Sequence, residues 1–166
     1  MADDGGAGSA AVPGRKLKFR VCYCTSEDPE HPASALNHHG PSSRGWQTNR
    51  FSTFPQEVGL QLADGAARLV QLQLLSHQFK VATKVELFLG KGDAYRHASF
   101  KRLGYLTLDS NERSGYRARE LKSVYVDAEA SFLRLVVHKP HTNAHNLYNQ
   151  VGFIAINVVG APLPPG

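Results

Sequence analysis

The sequence predicts an all-β fold, an antiparallel β-sandwich of jelly-roll topology. Three observations predict it. About eight short apolar runs alternate with period two. Their connections range from tight turns to one long loop. No window carries a sustained helical period. An immunoglobulin-like sandwich is the alternative, although the Cys…Trp…Cys spacing of many such domains is missing.

Residues 1–15 are mostly Gly, Ala, Asp and Pro with little to bury, so a flexible tail is expected. The folded part is expected over 16–160, and APLPPG at 161–166 as the start of an extended linker leading to more protein. Leu17, Phe19, Val21 and Tyr23 alternate with Lys18, Arg20, Cys22 and Cys24, an amphipathic strand. Cysteines along one strand face are poorly placed to bridge, so two reduced thiols are expected. Residues 26–43 contain three prolines and form a connection longer than compact domains usually hold. It is functional, mobile, or partly helical around 33–36. Trp46, the only tryptophan, follows Gly45 and is placed to plug one end of the core.

Val58, Leu60 and Leu62 alternate with Glu57, Gly59 and Gln61, and Ala63-Asp64-Gly65 makes a turn. Val70, Leu72 and Leu74 then alternate with Leu69, Gln71 and Gln73. Leu and Gln would also suit a helix over 56–75, but two glycines and the alternation favour two strands. Val85, Leu87 and Leu89 form the inward face of the next strand, which ends at Gly90-Lys91-Gly92-Asp93. A less regular strand is expected over 100–108, a polar turn over 109–115, and a strand over 121–126, with 127–130 as a connection. Leu133, Leu135 and Val137 share one face of the following strand. Residues 151–159 are apolar on both faces, Ile154, Ile156 and Val158 on one and Val151, Phe153 and Ala155 on the other. A strand covered on both sides is expected there. The His-, Pro-, Asn- and Thr-rich stretch 138–149 is turn chemistry, expected to cross from one sheet to the other.

At 166 residues one domain is expected, and 42% hydrophobic content suffices for one core. No apolar run approaches the ~20 residues of a membrane-spanning helix. The amino terminus lacks the charged-then-apolar order of a signal peptide, which points to a chain, or a piece of one, kept inside the cell. Lys plus Arg exceed Asp plus Glu by 19 to 14, a net charge of +5 that invites an acidic partner. Charge by itself selects none of nucleic acid, an anionic membrane or an acidic protein surface, and a plain solvated surface is the alternative. Among partners, neither nucleic acid nor membrane is expected.

His138, His141 and His145 have a spacing that would align ligands on a helix, but Pro140 places them in a loop, where they are expected to bond backbone groups. Gly90-Lys91-Gly92 lacks the rest of a dinucleotide loop and reads as a turn. Ser42, Ser43 and Ser110 have no nucleophile-elbow context, and acidic residues are scattered singly. No catalytic residue, metal site or cofactor is expected. Lys101, Arg102, Arg113, Arg117, Arg119 and Lys122, by contrast, gather around one strand–turn–strand unit. Arg117 and Arg119 on one strand face would project together toward an acidic partner. The plainer alternative is an edge strand guarded by charge against aggregation.

Several stretches carry a resemblance, in this order: FPQE at 54–57, LQLLSHQ at 72–78, RLGY at 102–105, ARELKSVYVD at 118–127 and NLYNQV at 146–151. They resemble the amino-terminal domain of the family of the centrosomal protein of 104 kDa, over 17–160. The resemblance implies a jelly roll related in shape to discoidin-like and galactose-binding-like modules. It implies the amino-terminal part of proteins at centriole distal ends and ciliary microtubule tips, acting in cilium assembly. The family's coiled coil, tubulin-binding TOG array and zinc-finger region lie outside this sequence. Two functions follow as expectations. One is a non-catalytic interaction module docking on microtubules, tubulin or ciliary-tip proteins. The other is a small-ligand or glycan module using loop aromatics such as Trp46 or Tyr148.

Overall fold

The computed structural model describes residues 14–38, 40 and 43–164. It contains β1 (Arg15–Lys16), β2 (Phe19–Cys24), β3 (Trp46–Gln47), β4 (Gln56–Leu62) and β5 (Ala67–Ser76). These are followed by β6 (Lys84–Lys91), β7 (Ser99–Thr107), β8 (Leu121–Ala130), β9 (Phe132–Val137) and β10 (Gly152–Pro162). Sheet I has the order β1-β10-β5-β8, with β3 also on β10, and sheet II the order β2-β4-β9-β6-β7. Every pairing is antiparallel. The inward residues of both sheets meet in one core, among them Leu60, Leu72, Leu87, Leu135, Phe153 and Val158.

Alternation places β4, β6 and β9 as the sequence predicts, with Val58, Leu60 and Leu62, Val85, Leu87 and Leu89, and Leu133, Leu135 and Val137 all buried. Three strands depart from it for one reason. Each holds a register shift, and one extra residue reverses which side chains face the core. In β2 the shift falls between Val21 and Tyr23, so Cys24 packs on the core and Tyr23 turns outward. In β5 it falls between Leu69 and Gln71, so Leu69 is buried and Val70 only half-buried. In β10 it falls between Phe153 and Ala155, which groups Phe153 with Ile156 and Val158 in the core. Ile154 is buried outside that cluster.

The chain changes sheet twice between β8 and β10. Ser131 alone separates β8 in sheet I from β9 in sheet II, and 138–151 returns to sheet I. β8 therefore runs on through 127–130, where a connection was expected. Strand extends beyond both expected boundaries. Arg15 and Lys16 pair with Gly160 and Val159, so residue 15, expected in the tail, is strand; residues 1–13 lie outside the described residues. Ala161 and Pro162 pair with Arg68 and Ala67, so the first part of the expected linker is strand. Pro165 and Gly166 lie outside the described residues.

In the long connection a short 3-10 helix, Ala33–Asn37, buries Ala33 and Leu36, so the helical alternative holds there. His39 and Ser42 lie outside the described residues. Trp46 plugs the core as expected: it is fully buried, packs 5.2 Å from Phe153, and its indole N–H donates to the Ser26 carbonyl at 3.0 Å.

The outer face of sheet II carries a second, smaller cluster. Residues 92–98 fold back over it, laying the Tyr95 ring against Gly59, where a Cβ would come within 2.4 Å of the ring. Phe100 and Phe132 meet that ring at 5.2 and 5.9 Å. The Arg134 guanidinium sits 3.8 Å from the Phe100 centroid and pairs with Glu57 at 3.2 Å. Burial, then the 2.6 Å bond it donates to Glu57, raises the Tyr95 hydroxyl pKa. Phe132 is buried here although it points away from the main core.

Candidate interaction surface

The six basic residues form two groups. Lys101 and Arg102 lie on β7 and Lys122 on β8, the outermost strands of different sheets. The strand–turn–strand unit is therefore a crossover, not a hairpin. Lys101 and Arg102 sit near the start of β7, while Arg113, Arg117, Arg119 and Lys122 follow its end. About six strand residues at ~3.3 Å each put roughly 20 Å between the groups. Arg117 and Arg119 do not share a strand face, because the chain is irregular until β8 begins at Leu121. Arg102 pairs with Glu86 at 3.2 Å, Lys122 with Glu120 at 3.3 Å, and Arg119 donates to Gln78 at 3.1 Å. Lys101, Arg113 and Arg117 are exposed and have no ion pair among the described residues.

A cleft of about 650 Å³ opens between the edges of β7 and β8. Leu89, Leu103 and Ala128 line it together with charged side chains from both strands. Those charges largely answer one another: Arg68 pairs with Asp127 and, at 3.8 Å, with Glu129, and Arg102 pairs with Glu86. Nothing there resembles a matched acid and base.

The loop 108–120 is fastened to the end of the sandwich built by 77–83 and 138–151. Asn111 donates to the Gln78 carbonyl at 2.8 Å, and His141 donates from Nε2 to the Leu108 carbonyl at 2.7 Å. Tyr116 stacks edge-on with His145 at 4.9 Å. The three loop histidines thus turn to different partners. His138 binds Glu86 at 2.7 Å, and that bond, aided by Arg102, holds Glu86 below the usual carboxylate range. No group of three His, Cys, Asp or Glu is placed for a metal among the described residues.

His77, which the sequence does not single out, anchors this end. Its Nδ1 accepts from the Phe79 and Lys80 amides at 3.2 and 3.1 Å, and burial pushes its pKa down to about 4, with Lys80 and Arg119 adding to the shift. Beside it lies a buried polar network. The Gln150 amide donates to Asp28 and to the Thr48 carbonyl, and it accepts from Lys80 at 2.8 Å. Burial raises the Asp28 pKa, but bonds from the Glu30 amide, Gln150 and His31 outweigh it and hold the carboxyl low. Arg50 reaches the Asp28 carboxylate at 3.7 Å and lies 4.3 Å from the Tyr148 centroid, Phe51 meets that ring edge-on, and Leu147 precedes Tyr148 in the chain. Of these the sequence points only to Tyr148; the exposure of Phe51 and Leu147 has no sequence signal beyond their polar, turn-rich neighbours.

These features define a class: a jelly-roll sandwich of the kind found in carbohydrate-binding modules and repair-protein domains. The family 32 module of Clostridium perfringens NanJ, solved with galactose, superposes with a TM-score of 0.69 at 13% identity, covering 89% of this chain and 99% of that one. Reduced XRCC1, solved bound to the DNA polymerase β catalytic domain, superposes at 0.67 with 17% identity, covering 90% of this chain and all of that one. At such identities the likeness is one of fold.

Sequence relatives narrow it. Residues 45–160 match the family described as "Centrosomal protein CEP104, N-terminal domain", and the chain belongs to that family. It is 41% identical over 152 residues to the human centrosomal protein of 104 kDa, covering 89% of this chain and 16% of that protein. The mouse protein is also 41% identical, over 156 residues, covering 91% and 17%. The chain thus spans about a sixth of the length of these curated relatives.

Proposed function

We propose that this chain is a non-catalytic docking domain of a protein of centrosomes, centrioles and ciliary tips, and that it binds acidic protein surfaces, tubulin and microtubules first among them. Family membership supports the setting. The observation that carries the docking role is the pair Arg113 and Arg117, exposed on a loop pinned to the sandwich end and answered by no carboxylate among the described residues. Cations held this way are available to an acidic partner without first breaking an ion pair. Lys122, already paired with Glu120, contributes less.

Co-sedimentation with microtubules tests this. Arg113→Glu/Arg117→Glu should reduce the bound fraction several-fold, Lys122→Glu should change it little, and added salt should weaken wild-type binding. Equal sedimentation of the double variant and the wild type would remove these arginines from the reading.

The glycan alternative is disfavoured. Trp46 is fully buried, and the polar groups beneath Tyr148 are committed to one another.

A further inference from the structure

At the loop end, Phe51 and Tyr148 stand side by side in solvent, and Leu147, the residue before Tyr148, is exposed as well. Phe51 is 68% exposed, Leu147 74% and Tyr148 40%. Phe51 meets the Tyr148 ring edge-on at 5.7 Å, and the Arg50 guanidinium lies 4.3 Å from the centroid of that ring. The group is rigidly mounted. The Phe51 amide donates to the Tyr148 carbonyl at 2.7 Å. Asn146 and Gln150 close the second loop through reciprocal bonds of 2.8 and 3.0 Å.

Phe51 has φ 57° and Asn149 φ 51°, both in the left-handed region. Asn tolerates it; a phenylalanine there is held at a cost of roughly 1 kcal/mol or more. A turn needing only to close would take Gly or Asn at 51 and a polar residue at 147. Strain and exposure at one aromatic position together mark a binding element.

Charge indicates the occupant. The two loops, 48–55 and 139–150, contain Arg50, Lys139, His141 and His145 and not one Asp or Glu. The carboxylate facing Arg50, Asp28 at 3.7 Å, is buried beneath it, while the arginine remains more than half exposed. Rigid aromatics beside an accessible arginine are the composition of a protein-contact hot spot.

We propose that Phe51, Leu147, Tyr148 and Arg50 form a docking platform for a segment of a partner protein that presents apolar side chains flanked by carboxylates. This inference rests on the docking reading above but uses none of its arginines.

The test uses an array of short peptides with Leu, Phe or Trp between Asp and Glu residues. Matched peptides carry Lys for each acid or Ser for each apolar residue. Wild-type chain should select the acidic, apolar set. By fluorescence polarisation, Phe51→Asn/Leu147→Ser, substitutions these loops accommodate, should lower affinity for the selected peptide about tenfold. Arg50→Glu should shift preference toward the Lys-flanked set. The proposal is overturned if no acidic, apolar peptide binds, or if the double variant binds as tightly as wild type. Perturbation of the Phe51 and Leu147 amide resonances by galactose or phosphatidylserine vesicles, but not by peptide, would also overturn it. Microtubule sedimentation of the same proteins separates the two ideas. A chain that binds peptide without sedimenting removes the microtubule reading and leaves the platform; the converse removes the platform alone.

Discussion

Two regions of this molecule combine an arginine with aromatic rings and finish the combination differently. On the outer face of sheet II, Arg134 lies 3.8 Å from the Phe100 centroid, Tyr95 and Phe132 complete the cluster, and Glu57 neutralises the cation. Residues 92–98 fold over it. At the loop end, Arg50 lies 4.3 Å from the Tyr148 centroid and Phe51 meets that ring edge-on, yet Phe51 stands in water. The chain therefore has the means to cover such a cluster and does so once. Where it does not, the open group sits on backbone whose hydrogen bonds hold it in place. The difference separates packing, which stabilises the fold, from presentation, which does not.

The widest gap should appear when an aromatic ring is removed from each region. Phe132→Ala should cost about 4 kcal/mol, because it empties a site that is 2% exposed. Phe51→Ala should cost less than about 0.5 kcal/mol, as surface changes usually do. Urea unfolding of both variants measures the difference, and equal losses would break the comparison.

Acid should loosen the loop end. His77 is held neutral with a pKa of about 4, below its ordinary 6.5. Between those values the unfolded chain binds the proton that the folded one refuses. Its contribution is thus complete above about pH 6.5, declines as pH falls toward 4, and is level below. The shift corresponds to at most about 3 kcal/mol. Stability measured across that window should fall in the wild type and fall less in His77→Asn, whose side-chain oxygen still accepts from the turn amides. Parallel curves would show that His77 is not the group responsible.

A smaller change than that of His77 has the opposite sign. Phe51→Asn should raise stability by about 1 kcal/mol, because Asn adopts the left-handed conformation more readily and little burial is lost. A loss of stability would mean that Phe51 serves the fold rather than a partner.

Much of the architecture is legible in the residues. Period-two alternation in 57–62, 84–89 and 132–138 places the faces of β4, β6 and β9, and turn residues mark the crossing at 138–149. The bulges of β2, β5 and β10 are not legible, because one inserted residue leaves composition intact while reversing the faces beyond it. The surface is harder. The six basic residues are near one another in sequence, but β7 and β8 belong to different sheets, so nearness along the chain does not become one patch. Phe51 and Leu147 come from distant loops, and their exposure follows from backbone torsions and a buried amide network that no local pattern announces.

On the proposed function, the loop end, and not the cleft between β7 and β8, is the surface that meets partners. Amide hydrogen exchange of the chain, free and bound to microtubules, tests it most directly. Protection concentrated in 108–120, with the strands of both sheets unchanged, is the result expected. Protection at 99–103 and 127–129 with none at 108–120 would contradict it.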